Sequence, residues 1–230
     1  MEDAKKSNRE LWLVFQDMKK AFDSVSLTAL KTAMERIKLP EITIRLILNL
    51  FQGRQSRIIT HWGHTEAFVI NDGIEQGEVL SPLVWRIFYD PLLERVQKDP
   101  KLGYTIEVAI PYNNSLNHST KTKWKQAVVA FADDTTWIAN SREQMEQTLL
   151  IAEDFFELND IQINGKKSKL ITMNSRESKE NRRIKLSNEW IYEEGKTKIT
   201  RFLGIWLNSK LNESQIKTRA KELVVQQQDF

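Results

Sequence analysis

Two runs of strand-forming residues, Ala127-Val128-Val129-Ala130-Phe131-Ala132 and Thr135-Thr136-Trp137-Ile138-Ala139, are separated only by Asp133-Asp134. A connection this short cannot cross over to a parallel neighbour, so the chain must turn back on itself as an antiparallel hairpin. The expected turn is the Asp-Asp pair, which projects two carboxylates together from the tip. A second continuous apolar run, Leu11-Trp12-Leu13-Val14-Phe15, reads as a buried strand and ends on Gln16-Asp17. If the two strands are neighbours in one sheet, three carboxylates converge at its edge. Like charges that close raise at least one pKa unless cations bind among them. Mg²⁺ is a suitable cation, since it binds through one or two carboxylates and completes its shell with water and substrate phosphates.

Composition narrows the chemistry further. Among 230 residues there is no cysteine, which excludes disulfides, thiol nucleophiles and the Cys-containing zinc sites. His61 and His64, beside Trp62, are too few for a metal site and read as surface or structural residues. The longest apolar run, Ala127–Ala132, is six residues, against the roughly 20 needed for a membrane helix, so no membrane partner is expected. The charged start Met1-Glu2-Asp3-Ala4-Lys5-Lys6 has no secretory apolar stretch and points to an intracellular protein, with nucleus and cytoplasm undistinguished. Net charge is only +3, but Lys166–Lys185 carries eight basic and two acidic residues, compatible with tracking a phosphate backbone.

The remaining pattern places these pieces in an α+β fold. Leu27, Leu30, Met34 and Ile37 repeat at helical spacing behind a Ser26 cap, with Pro40 as the stop. Ile42, Leu46, Ile47 and Leu50 predict the apolar face of a second helix, ended by Gly53. Ser56–Thr60 and Ala67–Ile70 read as two strands around Trp62-Gly63-His64. Ser81-Pro82 opens a long helix that Pro91 should kink. Tyr104–Ile110 is a strand, followed by a polar surface loop to Gln126. Ser141-Arg142-Glu143-Gln144 fits a capping box before a helix bearing Met145, Leu149, Ala152 and Phe156. Strands at Leu170–Met173 and Phe202–Leu207 and a helix from Asn212 close the chain. This order predicts helices packed on one face of an antiparallel sheet.

Five local sequences then occur in order: Asp17-Met18-Lys19-Lys20-Ala21-Phe22-Asp23, Gln76-Gly77-Glu78-Val79-Leu80-Ser81-Pro82, Phe131-Ala132-Asp133-Asp134, Asn164-Gly165-Lys166-Lys167-Ser168 and Phe202-Leu203-Gly204. Together they resemble the successive palm motifs of reverse transcriptases, most of all the non-long-terminal-repeat (LINE-like) retrotransposon enzymes. The resemblance implies a right-hand polymerase palm at 1–23 and 73–207, a helix-rich fingers-side insertion at 24–72, and the start of a connector or truncated thumb at 208–230. It implies RNA-directed DNA polymerase activity with two Mg²⁺ ions, or Mn²⁺, on an RNA template with a DNA primer and dNTPs.

Carried over by position, the resemblance makes Asp17 and Asp133 the principal metal ligands, Asp134 the third carboxylate, and Lys167 an aid to the departing pyrophosphate. Phe22 becomes the ring under the incoming sugar, leaving no room for a ribose 2′-hydroxyl. Its alternative is a core aromatic at the strand-to-helix turn. Gln76 and Gly77 would lie against nucleotide and template. Phe202, Leu203 and Gly204 would grip the primer, or form a buried strand with a bulge glycine. The sequence departs from the family at Glu75, where proline is common, and at Arg86, where asparagine is common. Only about sixteen residues precede the first motif, so fingers and thumb segments are expected elsewhere in a parent polyprotein. Two other readings stand beside this one. An RNA-directed RNA polymerase would carry Asp where Phe22 stands, and a relic or domesticated module would bind nucleic acid without catalysis.

Overall fold

The computed structural model describes residues 1–112, 115–195 and 200–207. A short helix, α1 (Glu2–Ser7), leads into β1 (Leu11–Gln16), every residue of which is buried. After β2 (Met18–Lys19) and a single 3-10 turn at Phe22–Ser24 comes α2 (Leu27–Arg36). Its cap is the predicted one, because the Ser26 hydroxyl accepts the Ala29 amide N–H at 3.4 Å. In α3 (Glu41–Phe51) Ile44 and Phe51 are buried, whereas Ile42, Leu46 and Leu50 are 70%, 65% and 51% exposed. Three of the four residues of the predicted apolar face thus lie toward solvent, with Ile47 half-buried. Apolar residues occur all around this helix, so periodicity alone could not choose which side is buried.

An arm follows in which β3 (Arg54–Ser56) pairs with β6 (Phe68–Ile70), and β4 (Ile59–Thr60) pairs with β5 (Gly63–His64). The single strand expected over Ser56–Thr60 is thus split, and Trp62 at the bend is 91% exposed. The long helix α4 (Ser81–Lys98) starts at Ser81-Pro82 and contains Pro91. β7 (Tyr104–Tyr112) pairs with β8 (Ser115–Gln126) as an antiparallel ribbon. This corrects the polar loop expected after Ile110. β8 has no apolar alternation of its own and is made a strand by backbone bonds to β7.

β9 (Val128–Phe131), β10 (Asp134–Ala139) and α5 (Arg142–Leu158) come next. The Ser141 hydroxyl accepts the Gln144 N–H at 3.3 Å, while the Gln144 side-chain oxygen Oε1 accepts the Asn140 N–H at 3.5 Å. The chain continues through β11 (Gln162–Ile163), β12 (Lys169–Met173), β13 (Arg183–Leu186), β14 (Glu189–Tyr192), β15 (Thr200–Phe202) and β16 (Ile205–Leu207). The helix expected from Asn212, and the connector or thumb segment 208–230, lie outside the described residues.

The chain forms two compact units, one made of Met1–Asp17, Val96–Ile151 and the part from Ile163 onward, the other of Met18–Arg95 and Ala152–Gln162. The first is organised by an antiparallel sheet of order β12-β1-β10-β9, with Val14 paired to Trp137 on one side and Leu170 on the other. Both faces of β1 are covered, which is why its sequence is continuously apolar. Leu11, Leu13 and Phe15 pack with Ala4, Tyr104, Ile171 and Met173. Each such side chain contributes roughly 1.5–3 kcal/mol of burial free energy. The second unit is centred on rings: Trp85 stacks with Phe22 and Tyr89, and Phe155 closes on Phe88 and Tyr89.

Candidate active site

Asp17 is the first residue beyond β1, where the buried run ends. Its backbone is held from both sides by the turn Asn164–Ser168. The Asp17 N–H donates to Ser168 Oγ at 3.1 Å, and the Asp17 carbonyl accepts the Asn164 N–H at 2.9 Å. Ser168 Oγ donates in turn to the Asn164 carbonyl at 2.9 Å. The Asn-Gly-Lys-Lys-Ser motif thus has a structural task that its sequence did not disclose, namely fixing the backbone that carries the first carboxylate. Lys167 is exposed on the same turn, with its amide bonded to the Asn164 carbonyl at 3.1 Å.

The register Gln16↔Thr135 brings Asp134 to the same end of the sheet as Asp17. Asp134 pairs with Phe131, so the two-residue turn is Ala132-Asp133 and not Asp133-Asp134. Ala132 takes the left-handed conformation, φ 53°. The physical reason is that register is set by the strands: Thr135 and Trp137 must be buried, and that choice draws Asp134 into the ladder. Behind the carboxylates, Gln16 is 1% exposed and its side-chain oxygen Oε1 accepts the Trp137 indole N–H at 2.9 Å. That bond ties β1 to β10 beside the site, and nothing in the sequence marked Gln16 for it.

Burial, then the charge of Asp133, then that of Asp17 hold the Asp134 carboxyl above the ordinary carboxylate range. Among the described residues no basic side chain forms an ion pair with Asp17, Asp133 or Asp134, and no three His, Cys, Asp or Glu side chains are gathered into a ready-made metal site. The donor set still fits a hard cation: all oxygen, mutually repelling and unneutralised.

Phe202 also belongs to the first unit. Its ring centroid lies 4.8 Å from that of Phe15. Leu203 and Gly204 have φ 47° and 79°, and Phe202 pairs with Ile205. The segment is a hairpin turn, not a strand with a bulge glycine; two successive positive φ values are what a tight hairpin turn requires.

Phe22, Gln76 and Gly77 lie in the second unit. Phe22 is half-buried and stacked on Trp85, with centroids 5.5 Å apart at 24°. Its carbonyl accepts the Ile74 N–H at 2.9 Å, and the Val25 carbonyl accepts the Gly73 N–H at 2.9 Å. Gly73 is required there, since a Cβ would stand 2.9 Å from the Asp23 carbonyl oxygen. Gln76 and Gly77 are exposed, Gly77 at φ 101°. Glu75 is paired with Arg54 at 3.2 Å, and Arg54 also donates to the Gly73 carbonyl at 2.9 Å. Trp85 and Arg54 were not foreseen, because a core aromatic and a surface cation look like any others until their partners are known. His61 and His64 are exposed in the arm.

Residues 1–207 match the family described as reverse transcriptase (RNA-dependent DNA polymerase). The chain belongs to this family. It is 31% identical over 163 residues to a retrovirus-related Pol polyprotein from the type-1 retrotransposable element R2 of Popillia japonica, a match covering 70% of this chain and 21% of that protein. Against the corresponding polyprotein of Nasonia vitripennis it is 26% identical over 149 residues, covering 65% and 13%. This reverse transcriptase chain therefore spans about a fifth or less of these curated relatives. Its fold is similar to that of telomerase from Candida albicans in complex with a fragment of telomeric RNA (TM-score 0.56, 12% identity, 90% of this chain and 31% of that one). It is also similar to apo telomerase from Candida tropicalis truncated of its C-terminal domain (TM-score 0.54, 15% identity, 90% and 36%). The right-hand palm architecture expected from the motifs agrees with these matches.

Proposed function

We propose that the chain carries the nucleotidyl-transfer centre of an RNA-directed DNA polymerase acting with an RNA template, a DNA primer and dNTPs. The primer 3′-hydroxyl gives up its proton to water as its oxygen attacks the α-phosphorus of the dNTP, a new P–O bond forms, the bond to the β-phosphate oxygen breaks and pyrophosphate leaves. The observation that carries this reading is the acidic sheet end, where Asp134 is held toward its neutral form by burial, Asp133 and Asp17. In this reading Asp17 and Asp133 are the principal ligands for two Mg²⁺ or Mn²⁺ ions, with Asp134 as the third carboxylate. Bound there, the ions neutralise charge and polarise phosphate oxygens.

Lys167 donates a proton to the leaving pyrophosphate. Phe22 excludes a 2′-hydroxyl, and its stacking on Trp85 supports a ring that does not yield. Gln76 and Gly77 meet nucleotide and template, and Phe202, Leu203 and Gly204 hold the primer strand. The same reading assigns 1–23 and 73–207 to the palm, 24–72 to a fingers-side insertion, and further fingers and thumb to the parent polyprotein.

The test is primer extension on an RNA template by a chain carrying its flanking polyprotein sequence. Extension with dNTPs that Asp133→Asn abolishes is the expected result, and unchanged extension by that variant refutes the assignment. Preference for rNTPs would instead favour an RNA-directed RNA polymerase. The second reading, a non-catalytic nucleic-acid-binding module, draws on the lack of a ready-made three-ligand metal site among the described residues. RNA binding that is salt-sensitive yet indifferent to Mg²⁺ and to Asp17→Ala, with no extension, would establish it.

A further inference from the structure

The β13–β14 hairpin has two chemically different faces. Its register, Arg183↔Tyr192, Ile184↔Ile191, Lys185↔Trp190 and Leu186↔Glu189, puts Ile184, Leu186 and Ile191 together on one side, all buried. By strand alternation Arg183, Lys185, Trp190 and Tyr192 share the other. Trp190 is 45% and Tyr192 60% exposed, and the Arg183 guanidinium lies 4.6 Å from the Trp190 ring centroid. Two large rings stand in solvent on one strand, each directly opposite a cation, and none of the four contributes to the core.

The platform is firmly mounted. The Glu193 N–H donates to the Arg182 carbonyl at 2.8 Å and the Glu194 N–H to the Leu170 carbonyl at 2.9 Å. The ion pair Lys169–Glu194 at 3.0 Å holds the hairpin to β12, and Arg182–Glu193 at 3.3 Å closes the hairpin's own base. At its other end Glu189 lies over Gly165, where an added Cβ would come within 2.9 Å of Glu189 Cβ. Gly165 belongs to the turn whose Asn164 and Ser168 hold Asp17. The hairpin thus rests on the turn that holds the backbone of Asp17.

We propose that this face binds single-stranded nucleic acid, with successive bases on Trp190 and Tyr192 and phosphates against Arg183 and Lys185. Base-on-ring stacking accepts any base, and adjacent cations meet the backbone. The spacing favours a single strand: rings two residues apart on a strand stand about 6.8 Å apart, a distance a stretched single strand spans, whereas duplex bases rise only about 3.4 Å. An apolar protein surface would desolvate Arg183 and Lys185 without pairing them. The net basic charge of Lys166–Lys185 complements a polyanion. The inference uses none of the metal-facing carboxylates and stands apart from the polymerase reading.

The test is equilibrium binding of the full chain, without dNTP and with EDTA, to a short labelled single-stranded RNA, a DNA of the same sequence, and the corresponding DNA duplex. Trp190→Ala and Tyr192→Ala are each expected to weaken single-strand binding about tenfold while changing duplex binding less than about twofold. Lys185→Gln should reduce the slope of log affinity against log salt by about one. Loss on the RNA, the DNA or both supports the proposal and identifies the strand. It is overturned if Trp190→Ala/Tyr192→Ala melts normally and binds single strands as before, or if single-strand and duplex binding fall equally. Should that double variant fail to fold, Lys185→Glu decides the matter from an exposed position: unchanged single-strand affinity overturns the proposal.

Discussion

The β9–β10 and β15–β16 hairpins close in the same way, with a phenylalanine followed by a two-residue turn whose first residue is left-handed: Ala132 at φ 53° and Leu203 at φ 47°. Their surroundings differ. Phe131 is 68% exposed, whereas Phe202 packs on Phe15. After the turn one chain enters β10, paired on both sides within the four-stranded sheet, and the other enters β16, which among the described residues pairs only with β15. The first hairpin is stabilised by its strand, so its tip is free to hold repelling carboxylates and an uncovered ring. The second has little strand to rely on and is held by Phe202 and by the ease with which Gly204 adopts φ 79°. Equivalent turns thus serve opposite purposes according to where their stability resides.

The largest expected difference is in activity. Asp133→Asn should lower primer extension by the flanked chain at least about 10³-fold with little change in melting temperature; a variant that keeps its activity breaks the assignment of chemistry to the first tip. Next come the two rings. Phe202→Ala is expected to cost about 2–3 kcal/mol and Phe131→Ala less than about 0.5 kcal/mol, read from urea denaturation midpoints, and equal shifts would erase the contrast.

Gly204→Ala meets no atom within 4 Å of the new Cβ, so backbone strain alone should destabilise it by about 1–2 kcal/mol. At the other tip Ala132→Gly relieves the same kind of strain and should be neutral or stabilising by up to about 1 kcal/mol.

The smallest effect is the most specific. Burial and then the charges of Asp133 and Asp17 raise the Asp134 carboxyl above its ordinary value. Below the unfolded-state value the group is neutral in both states. As pH climbs toward the raised folded-state value the unfolded chain ionises first, and stability is lost. Asp134→Asn should therefore raise the melting temperature near neutral pH and lose that advantage below about pH 3.5, and Mg²⁺ should stabilise the unsubstituted chain in the same neutral window. Thermal melts across pH decide this, and a gain that is constant with pH would mean that charge is not its cause.

Much of the site was legible because its signals are local. The apolar run Leu11–Phe15 could only be a covered strand, the two runs around Asp133-Asp134 could only be a hairpin, and Ser26 and Ser141 announced their helices. The order of five short motifs also identified the family. Where the sequence misled, the deciding interaction lay outside the segment itself. β8 became a strand through β7, the apolar side of α3 was chosen by what packs on Ile44 and Phe51, and the turn moved to Ala132-Asp133 because the burial of Thr135 and Trp137 sets the register.

The sequence by itself therefore determined the buried strand β1, the β9–β10 hairpin, the capped helices α2 and α5 and the carboxylates that stand at the sheet end, since backbone propensity, capping and apolar continuity act between near neighbours. Tertiary structure alone decided that Asn164 and Ser168 hold Asp17, that Trp85 backs Phe22, and that Trp190 and Tyr192 face solvent beside two cations. Those outcomes depend on strand register and on contacts between residues far apart in the chain, which no local pattern encodes.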